Sequence, residues 1–471
     1  MSDAGTREVV VAQRPSGHED RGAPESLGAS ARRLAPAVAV LLFLLANTAV
    51  IVWLWVHGGN VTKLKQTGDV LTSGARLTGL LAAYLALIQV VLIARLPWLE
   101  RTFGLDHLTV WHRWNGHACI DLVIAHVVLS IWGYAMLDKL PVLTETSTMI
   151  TGGIYPGMIT ATIGTALLIA VVFTSLVIVR RRLRYEVWYA VHLMAYLGIA
   201  LAWFHQIPTG NELVVDANAA NYWRGLYVAT IAVIVIFRLL VPIANAFRFR
   251  LRVQEVIREG PGVVSLRLSG RRLDRLGIKA GQFFLFRFLG RGRWWASHPF
   301  SVSALPRDGA LRITVKDLGD FTSGLGGIRP GTRVVAEGPF GVFTDRARRQ
   351  HKVLLVAGGI GITPISDLLE EMRGDIIVVY RVVEETEIIF REELEELAHE
   401  RDAVMHFVVG DHRLPSGRDL LSPAHLQELV PDIRDREVYV CGPPAMATAI
   451  SENAHRAHVP RRHIHTERFA L

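Results

Sequence analysis

Six apolar stretches dominate the first half of this 471-residue chain, roughly 34–56, 75–95, 111–136, 157–179, 187–206 and 224–245. Each is near the ~20 residues that a helix needs to cross a hydrocarbon layer. Lipid offers no partner to a free backbone N–H or C=O, so apolar runs of this length fold as helices. Arginine marks alternate connections: Arg32 and Arg33 precede the first run, Arg95 and Arg101 lie between the second and third, Arg180, Arg181, Arg182 and Arg184 between the fourth and fifth, and Arg248, Arg250 and Arg252 follow the sixth. The opposite connections carry only Lys63, Lys65, Lys139 and, at a helix edge, Arg224. By the positive-inside rule both termini are expected in the cytoplasm, which an even number of spans requires.

Composition agrees. Hydrophobic residues make up 51% and charged residues 20%, with a net charge of +8. Much of the arginine excess flanks apolar runs, and no basic stripe with interleaved aromatics points to nucleic acid. Residues 1–33, rich in Gly, Ser, Ala, Pro and charge, are expected to form an unstructured cytoplasmic tail. The two cysteines, Cys119 and Cys441, exclude a disulfide framework and a four-cysteine iron–sulfur cluster.

Four histidines stand inside the apolar runs: His112 and His126 on the third, His192 and His205 on the fifth. Ionisable groups at membrane depth are costly and mark function. The two runs are expected to point the same way, with His112 and His192 near the cytoplasmic side. At ~1.5 Å per residue, His126 and His205 then lie about 20 Å further along. Paired by depth, the four supply axial ligands for two stacked b-type haems. On ideal helices His126 falls within about 40° of the face of His112, whereas His205 lies about 140° from His192. His117 matches neither level as well, and His107 is expected at the membrane interface.

From residue 249 the pattern changes. Short alternating segments (FRFRLRVQEV, VVSLRLSG, GQFFLFRF, HPFSVSA, LRITVKD, TRVVAEG) separated by turn residues predict a small antiparallel barrel over 249–346. Over 350–471 strands alternate with helices, which predicts a parallel sheet. The fold class is therefore a multi-domain membrane protein, with a six-helix transmembrane bundle over 34–247, an antiparallel β-barrel and an α/β parallel-sheet domain.

After the buried-strand run Val353–Ala357, residues Gly358, Gly359 and Gly361 allow a tight turn into a helix N-terminus, where a pyrophosphate fits. Cys441, Gly442, Pro443 and Pro444 end a later strand, so both motifs face one crevice at the carboxyl ends of the sheet. Arg381 ends the second strand of that domain, where a 2′-phosphate is read. In the barrel, His298, Pro299, Phe300 and Ser301 are followed by Lys316, Gly319 and Thr322 of VKDLGDFT, whose Gly, Thr and backbone amides suit a second pyrophosphate.

AGQFF (280–284), HPFSVSA, VKDLGDFT, GPFG (338–341), GGIGITPI and CGPPAM occur in the order of the ferredoxin–NADP reductase superfamily. With six apolar runs in front and histidine pairs on the third and fifth, the chain resembles the ferric reductase / NADPH oxidase family from residue 34 onward. The resemblance implies FAD in the barrel and NADPH (or NADH) in the last domain. It puts Phe300 against the flavin ring, Ser301 near flavin N5, and His298 and Thr322 at the ribose and pyrophosphate. Gly359, Gly361, Thr363 and Pro364 would hold the nicotinamide nucleotide, with Cys441 and Gly442 near the nicotinamide. Phe469 resembles the aromatic that covers the flavin, although Ala470 and Leu471 follow it here.

The function expected is transmembrane electron transfer from cytoplasmic NAD(P)H through FAD and two bis-histidine haems to an acceptor outside: a ferric chelate, dioxygen or a quinone. Bis-histidine ligation leaves no open iron position, so the acceptor meets the haem edge. The outer connections 57–74, 138–156 and 207–223 lack an evident iron-chelating cluster. Two other readings are a flavoreductase whose membrane part is only an anchor, and a non-enzymatic transporter or receptor with a nucleotide-sensing module.

Overall fold

The computed structural model describes residues 7–10, 27–62, 64–290, 293, 296–411, 413–414, 417 and 419–468. It divides into a membrane unit, Ala31–Leu239, and a second unit that contains residues from Leu240 onward together with the N-terminal residues up to Ser30.

From Leu27 to Phe249 the helices are α1 (Leu27–Trp55), α2 (Thr67–Leu92), α3 (Pro97–Phe103), α4 (Leu105–Asp138), α5 (Val142–Thr151), α6 (Met158–Ser175), α7 (Val177–Arg180), α8 (Tyr185–Thr209), α9 (Asn211–Val215) and α10 (Ala217–Ile234), which runs on through a widened turn into α11 (Val241–Phe249). Six helical stretches are long and apolar enough to span a bilayer: Ala35–Asn60, Thr67–Leu92, Leu105–Asp138, Met158–Ser175, Glu186–Thr209 and Ala217–Phe249. Helix α2 begins eight residues before the apolar run does, because Gln66 and Asp69 form a reciprocal capping box at its start.

Small residues set the helix spacing. A Cβ on Gly133 of α4 would stand 2.7 Å from Thr72 Cγ2 of α2, and one on Gly164 of α6 only 2.6 Å from the Gly198 carbonyl of α8. These contacts seat α2 along α4 and α6 along α8, so both histidine-bearing helices are held at close range by a neighbour. Leu42, Phe43, Trp114 and Ile178 point outward and are exposed, as lipid-facing residues are.

The second unit holds two sheets. Strands β2 (Arg252–Gly260), β3 (Val263–Ser269), β4 (Phe283–Phe288), β5 (His298–Arg307), β6 (Ala310–Lys316) and β7 (Val334–Phe340) are antiparallel in the order β2-β3-β6-β5-β4-β7. Bonds from Val253 N to Thr332 O and from Val334 N to Leu251 O, each 2.9 Å, join the two edges and close the barrel. Leu266, Leu268, Phe284, Phe286, Phe288, Val302 and Ile313 fill it. A short α12 (Asp320–Ser323) follows β6.

Strands β8 (Lys352–Gly358), β9 (Asp375–Val382), β10 (Val404–Val409), β11 (Glu437–Gly442) and β12 (Ile464–Arg468) form the parallel sheet. Around them lie α13 (Ile362–Glu371), α14 (Arg391–Glu400), α15 (Pro423–Leu429) and α16 (Pro444–Arg456). The order is β1-β10-β9-β8-β11-β12, where β1 is Arg7–Val10, antiparallel to β10. Those four residues fall in the expected unstructured tail. Val9 and Val10 favour extended backbone, and the open edge of β10 offers partners for their N–H and C=O groups.

Candidate functional site

The four membrane histidines meet in two pairs. The imidazoles of His112 and His192 have ring centres 6.0 Å apart, and those of His126 and His205 have centres 6.2 Å apart. An ion between two imidazoles, with metal–nitrogen bonds of about 2.0–2.1 Å on each side as in histidine–zinc sites, puts the ring centres about 6 Å apart. Both separations fit one metal between each pair. The 140° offset of His205 from His192 therefore does not prevent pairing. The two χ1 wells open to a helical residue lie about 120° apart, enough to absorb an offset of that order.

Neighbours fix which ring nitrogen is free. The Nδ1–H of His112 donates to the Gln89 carbonyl at 3.0 Å, and that of His126 donates to the Ala75 carbonyl at 2.7 Å. A carbonyl only accepts, so the proton is on Nδ1 and Nε2 keeps its lone pair for a ligand. Ser175 gives its own proton to the Val171 carbonyl at 2.7 Å, so its oxygen accepts from His192 Nδ1 at 3.3 Å and from Trp188 Nε1 at 3.3 Å. Trp188 packs on His192, ring centres 5.0 Å apart, and the Arg180 guanidinium lies 4.4 Å from the indole centre. Among the described residues, His205 Nδ1 is buried without a partner. His107 and His117 are exposed on α4 and join neither pair; His117 packs edge-on to Trp114.

A cavity of about 480 Å³ surrounds the His126–His205 level. Its α2 wall is a stripe of small residues, Ala75, Gly79, Ala82, Ala83 and Ala86. Gly79 gives the most direct clearance: a Cβ there would stand 2.7 Å from His126 Nδ1. These observations fit a haem at that level: two facing imidazoles 6.2 Å apart, Nε2 free on His126, and room for a flat apolar ring between helices.

In the barrel, β5 alternates faces. Phe300 belongs to the core, its ring centre 6.4 Å from that of Phe286, while Ser301 is buried on the opposite face. Pro299 sits opposite Leu285 in the sheet register. His298 stacks on Phe321, ring centres 3.6 Å apart and planes 21° from parallel. Burial lowers the pKa of His298, so the neutral ring is favoured. Sequence reasoning missed Phe321, although it lies inside the motif that named Gly319 and Thr322. Thr322 closes the α12 turn, accepting from the Leu318 N–H at 2.9 Å and donating to the Gly319 carbonyl at 3.0 Å. Lys316 reaches the other domain, its Nζ 3.2 Å from Glu387 Oε1.

The two turns of the parallel sheet converge. A Cβ on Gly361 would stand 2.2 Å from the Cys441 carbonyl oxygen and 2.8 Å from Gly442 N, so only glycine permits this approach. A Cβ on Gly358 would stand 2.3 Å from Met446 Sδ and 3.2 Å from Pro443 Cδ, and Gly359 has φ +52°. Thr363 donates to the Ile360 carbonyl at 3.1 Å and is buried with Pro364 at the start of α13. Cys441 is buried, and burial, then Glu467, push its thiol pKa well up. Arg381 pairs in register with Gly358 at the carboxyl end of the sheet. Its side chain is buried and donates to the Val382 carbonyl, and burial lowers its pKa. Phe469 lies outside the described residues.

Family comparisons cover these units in order. A model described as "Ferric reductase like transmembrane component" matches residues 78–203, an FAD-binding domain matches 249–344 and an oxidoreductase NAD-binding domain matches 355–452. The ferredoxin reductase component of 3-ketosteroid-9-alpha-monooxygenase from Mycolicibacterium smegmatis is 30% identical over 235 residues, 46% of this chain and 65% of that protein. Ferredoxin–NADP reductase B from Sorangium cellulosum is 29% identical over 188 residues, 36% of this chain and 77% of that protein. The first relatives are matched over less than two thirds of their own length. Among solved structures, an Amycolatopsis cytochrome P450 reductase aligns with 47% of this chain and 70% of its own at a TM-score of 0.40 and 23% identity.

The chain thus joins a bundle of apolar helices to domains that match FAD-binding and oxidoreductase NAD-binding families. With the ferric reductase-like component in front of both domains, the three matches follow the architecture of the ferric reductase / NADPH oxidase family.

Proposed function

We propose that the chain carries electrons from cytoplasmic NAD(P)H through FAD and two bis-histidine haems to an acceptor on the far side of the membrane. The observation that carries this is the pairing of four imidazoles at two levels, 6.0 and 6.2 Å between ring centres, with Nδ1 bonded to a carbonyl in His112 and His126. The cofactors supply the redox chemistry: the flavin ring takes a hydride and releases electrons singly, and haem iron carries them one at a time.

The chain's residues bind and orient. His112 with His192 would hold the inner haem and His126 with His205 the outer one, and the backbone carbonyls behind His112 and His126 keep Nε2 of those two rings unprotonated. His298, Pro299, Phe300, Ser301, Lys316, Gly319 and Thr322 would form the FAD site, with Ser301 at the flavin. Gly358, Gly359, Gly361, Thr363, Pro364, Gly442 and Pro443 would cradle the nicotinamide nucleotide, Cys441 would stand beside the nicotinamide, and Phe469 would cover the flavin. Arg381 at the sheet's carboxyl end favours NADPH. The arginine distribution supports cytoplasmic termini in a multi-pass cell-membrane protein.

The acceptor is a small molecule: ferric chelate, dioxygen or quinone. A dithionite-reduced minus oxidised spectrum tests the reading. Wild type should show b-type bands, and His126→Ala and His192→Ala should each lose part of them. Absence of bands in wild type, or intact bands in both variants, would leave only a membrane-anchored flavoreductase. NAD(P)H oxidation in proteoliposomes, with each acceptor outside, then identifies the destination.

A further inference from the structure

The two histidines of the inner level have unlike neighbours. Behind His112 stands a backbone carbonyl, Gln89 O at 3.0 Å. Behind His192 stands a hydroxyl, Ser175 Oγ at 3.3 Å. That oxygen is already engaged, since it gives its proton to the Val171 carbonyl at 2.7 Å and accepts the Trp188 indole N–H at 3.3 Å. A shared hydroxyl oxygen is a poorer acceptor than a carbonyl, so it draws less on the Nδ1 proton of His192. An imidazole whose Nδ1–H is drawn on weakly is the less basic metal ligand.

The stack behind His192 also carries charge. Leu176, with ψ 136°, ends α6 and turns the chain into α7, whose last residue is Arg180. The Arg180 guanidinium lies 4.4 Å from the Trp188 ring centre. Trp188 is one helical turn before His192 on α8, and the two rings have centres 5.0 Å apart and planes 30° from parallel. Glu186, the acid in the first turn of α8, pairs with Arg184 at 3.8 Å. Cation, indole and imidazole therefore follow one another towards His112, whose ring centre is 6.0 Å beyond that of His192.

We propose that Arg180, Trp188 and Ser175 are positioning residues that raise the reduction potential of the inner site, so that it draws electrons from the flavin. This rests on the reading that His112 and His192 hold a haem. Each step transfers one electron: the reduced flavin is oxidised by one equivalent and the iron goes from ferric to ferrous. Ferrous iron carries one positive charge less than ferric, so a fixed cation nearby favours the reduced state. A weakly drawn Nδ1–H acts in the same direction, because a more basic ligand favours ferric iron. At an effective dielectric constant of about 20, a unit charge roughly 12 Å from the midpoint of the pair, the length of that stack, shifts the equilibrium by about tenfold.

The test is a spectroelectrochemical titration of the full-length protein in nanodiscs, in which the inner haem wave is the one that survives in His126→Ala. Arg180→Gln should move that wave to lower potential, by the equivalent of about tenfold, and leave the outer wave in place. Arg180→Lys keeps a cation there and should restore most of the shift. Trp188→Phe keeps a ring against His192 but removes the competing N–H from Ser175 Oγ, so the wave should again fall. Ser175→Ala removes the acceptor, so the wave should rise. Shifts of opposite sign at unchanged haem content do not arise from mere loosening of the helices. In stopped flow, Arg180→Gln should slow flavin-to-haem transfer while flavin reduction by NAD(P)H keeps its rate. An unmoved inner wave in Arg180→Gln, or equal shifts of both waves, would overturn the proposal. If that variant loses its haem, Ser175→Ala decides, and a wave that falls or stays would overturn it. Absence of haem bands in wild type would instead overturn the electron-relay reading beneath it.

Discussion

Gly79→Ala separates haem binding from helix stability. Position 79 lies inside α2, where replacing glycine by alanine should favour the helix by about 1 kcal/mol. The new Cβ, however, would meet His126 Nδ1 at 2.7 Å, Cε1 at 2.9 Å and Cγ at 3.2 Å. Ordinary contacts start near 3.4 Å, so the imidazole must retreat by several tenths of an ångström. That retreat strains the 2.7 Å bond from Nδ1 to the Ala75 carbonyl, which orients the ring. Site geometry tolerates about 0.5 Å, and losing an orienting partner costs roughly 10–100-fold in metal affinity. The haem-to-flavin ratio, by pyridine haemochrome and flavin absorbance, should fall from about two toward one. Anaerobic flavin reduction by NADPH should stay at the wild-type rate, while acceptor reduction falls by at least about tenfold. Gly74→Ala on the same helix is the control, since its Cβ meets only Leu129 Cδ1 at 3.7 Å. If Gly79→Ala keeps both haems and full acceptor reduction, His126 is not an axial ligand as argued.

Three further outcomes follow from the second unit. Gly361→Ala sets a Cβ against backbone atoms of Cys441 and Gly442 that cannot yield, so the KM for NAD(P)H should rise at least about tenfold, or 1.4 kcal/mol, with FAD content unchanged. An unaltered KM would show that the turn does not hold the nucleotide. Arg381→Ala should raise the KM for NADPH by about 10–100-fold, since a charged hydrogen bond is worth roughly 1.5–3 kcal/mol, and leave that for NADH unchanged. Equal effects on both would assign Arg381 to the fold alone. Acid stability should depend on Asp432. Its burial acts upward, but the Arg436 and Lys352 partners outweigh it and depress the pKa. A depressed folded-state pKa contributes stability above the unfolded value, about 3.9, and the contribution is lost as pH falls through the folded value. The Tm gap between wild type and Asp432→Asn should therefore be constant at neutral pH and shrink below about pH 4. A gap that persists in acid would exclude the ion pairs as its source.

The parts legible in the sequence were those carried by short contiguous signals. The apolar runs gave the spans because lipid leaves the backbone no alternative to a helix, and GGIGITPI and CGPPAM gave a crevice because both end strands of one parallel sheet. Histidine depth gave the pairing, because rise along a helix is uniform. Azimuth misled, because an imidazole can leave its helix by more than one rotamer. The groups that set each ring's tautomer were invisible. Gln89, Ala75 and Ser175 lie 23, 51 and 17 residues from the histidines they contact, and only helix packing brings them together. Gly79 gave no signal either, since glycine is common in membrane helices for many reasons.

The outer connections show a different failure, and it bears on the acceptor. Residues 138–156 read as a connection without an evident iron-chelating cluster, yet they contain α5, whose Met149 and Ile150 line the cavity while Glu145 is buried. The Thr- and Ser-rich sequence VLTETSTMIT hides this, because its helical character comes from docking on α4 and α6 and not from propensity. Among the described residues no cluster of three or more metal-ligating side chains stands ready for iron. What the His126–His205 level offers instead is a mostly apolar cavity whose lining also includes Arg76 and the buried Glu212.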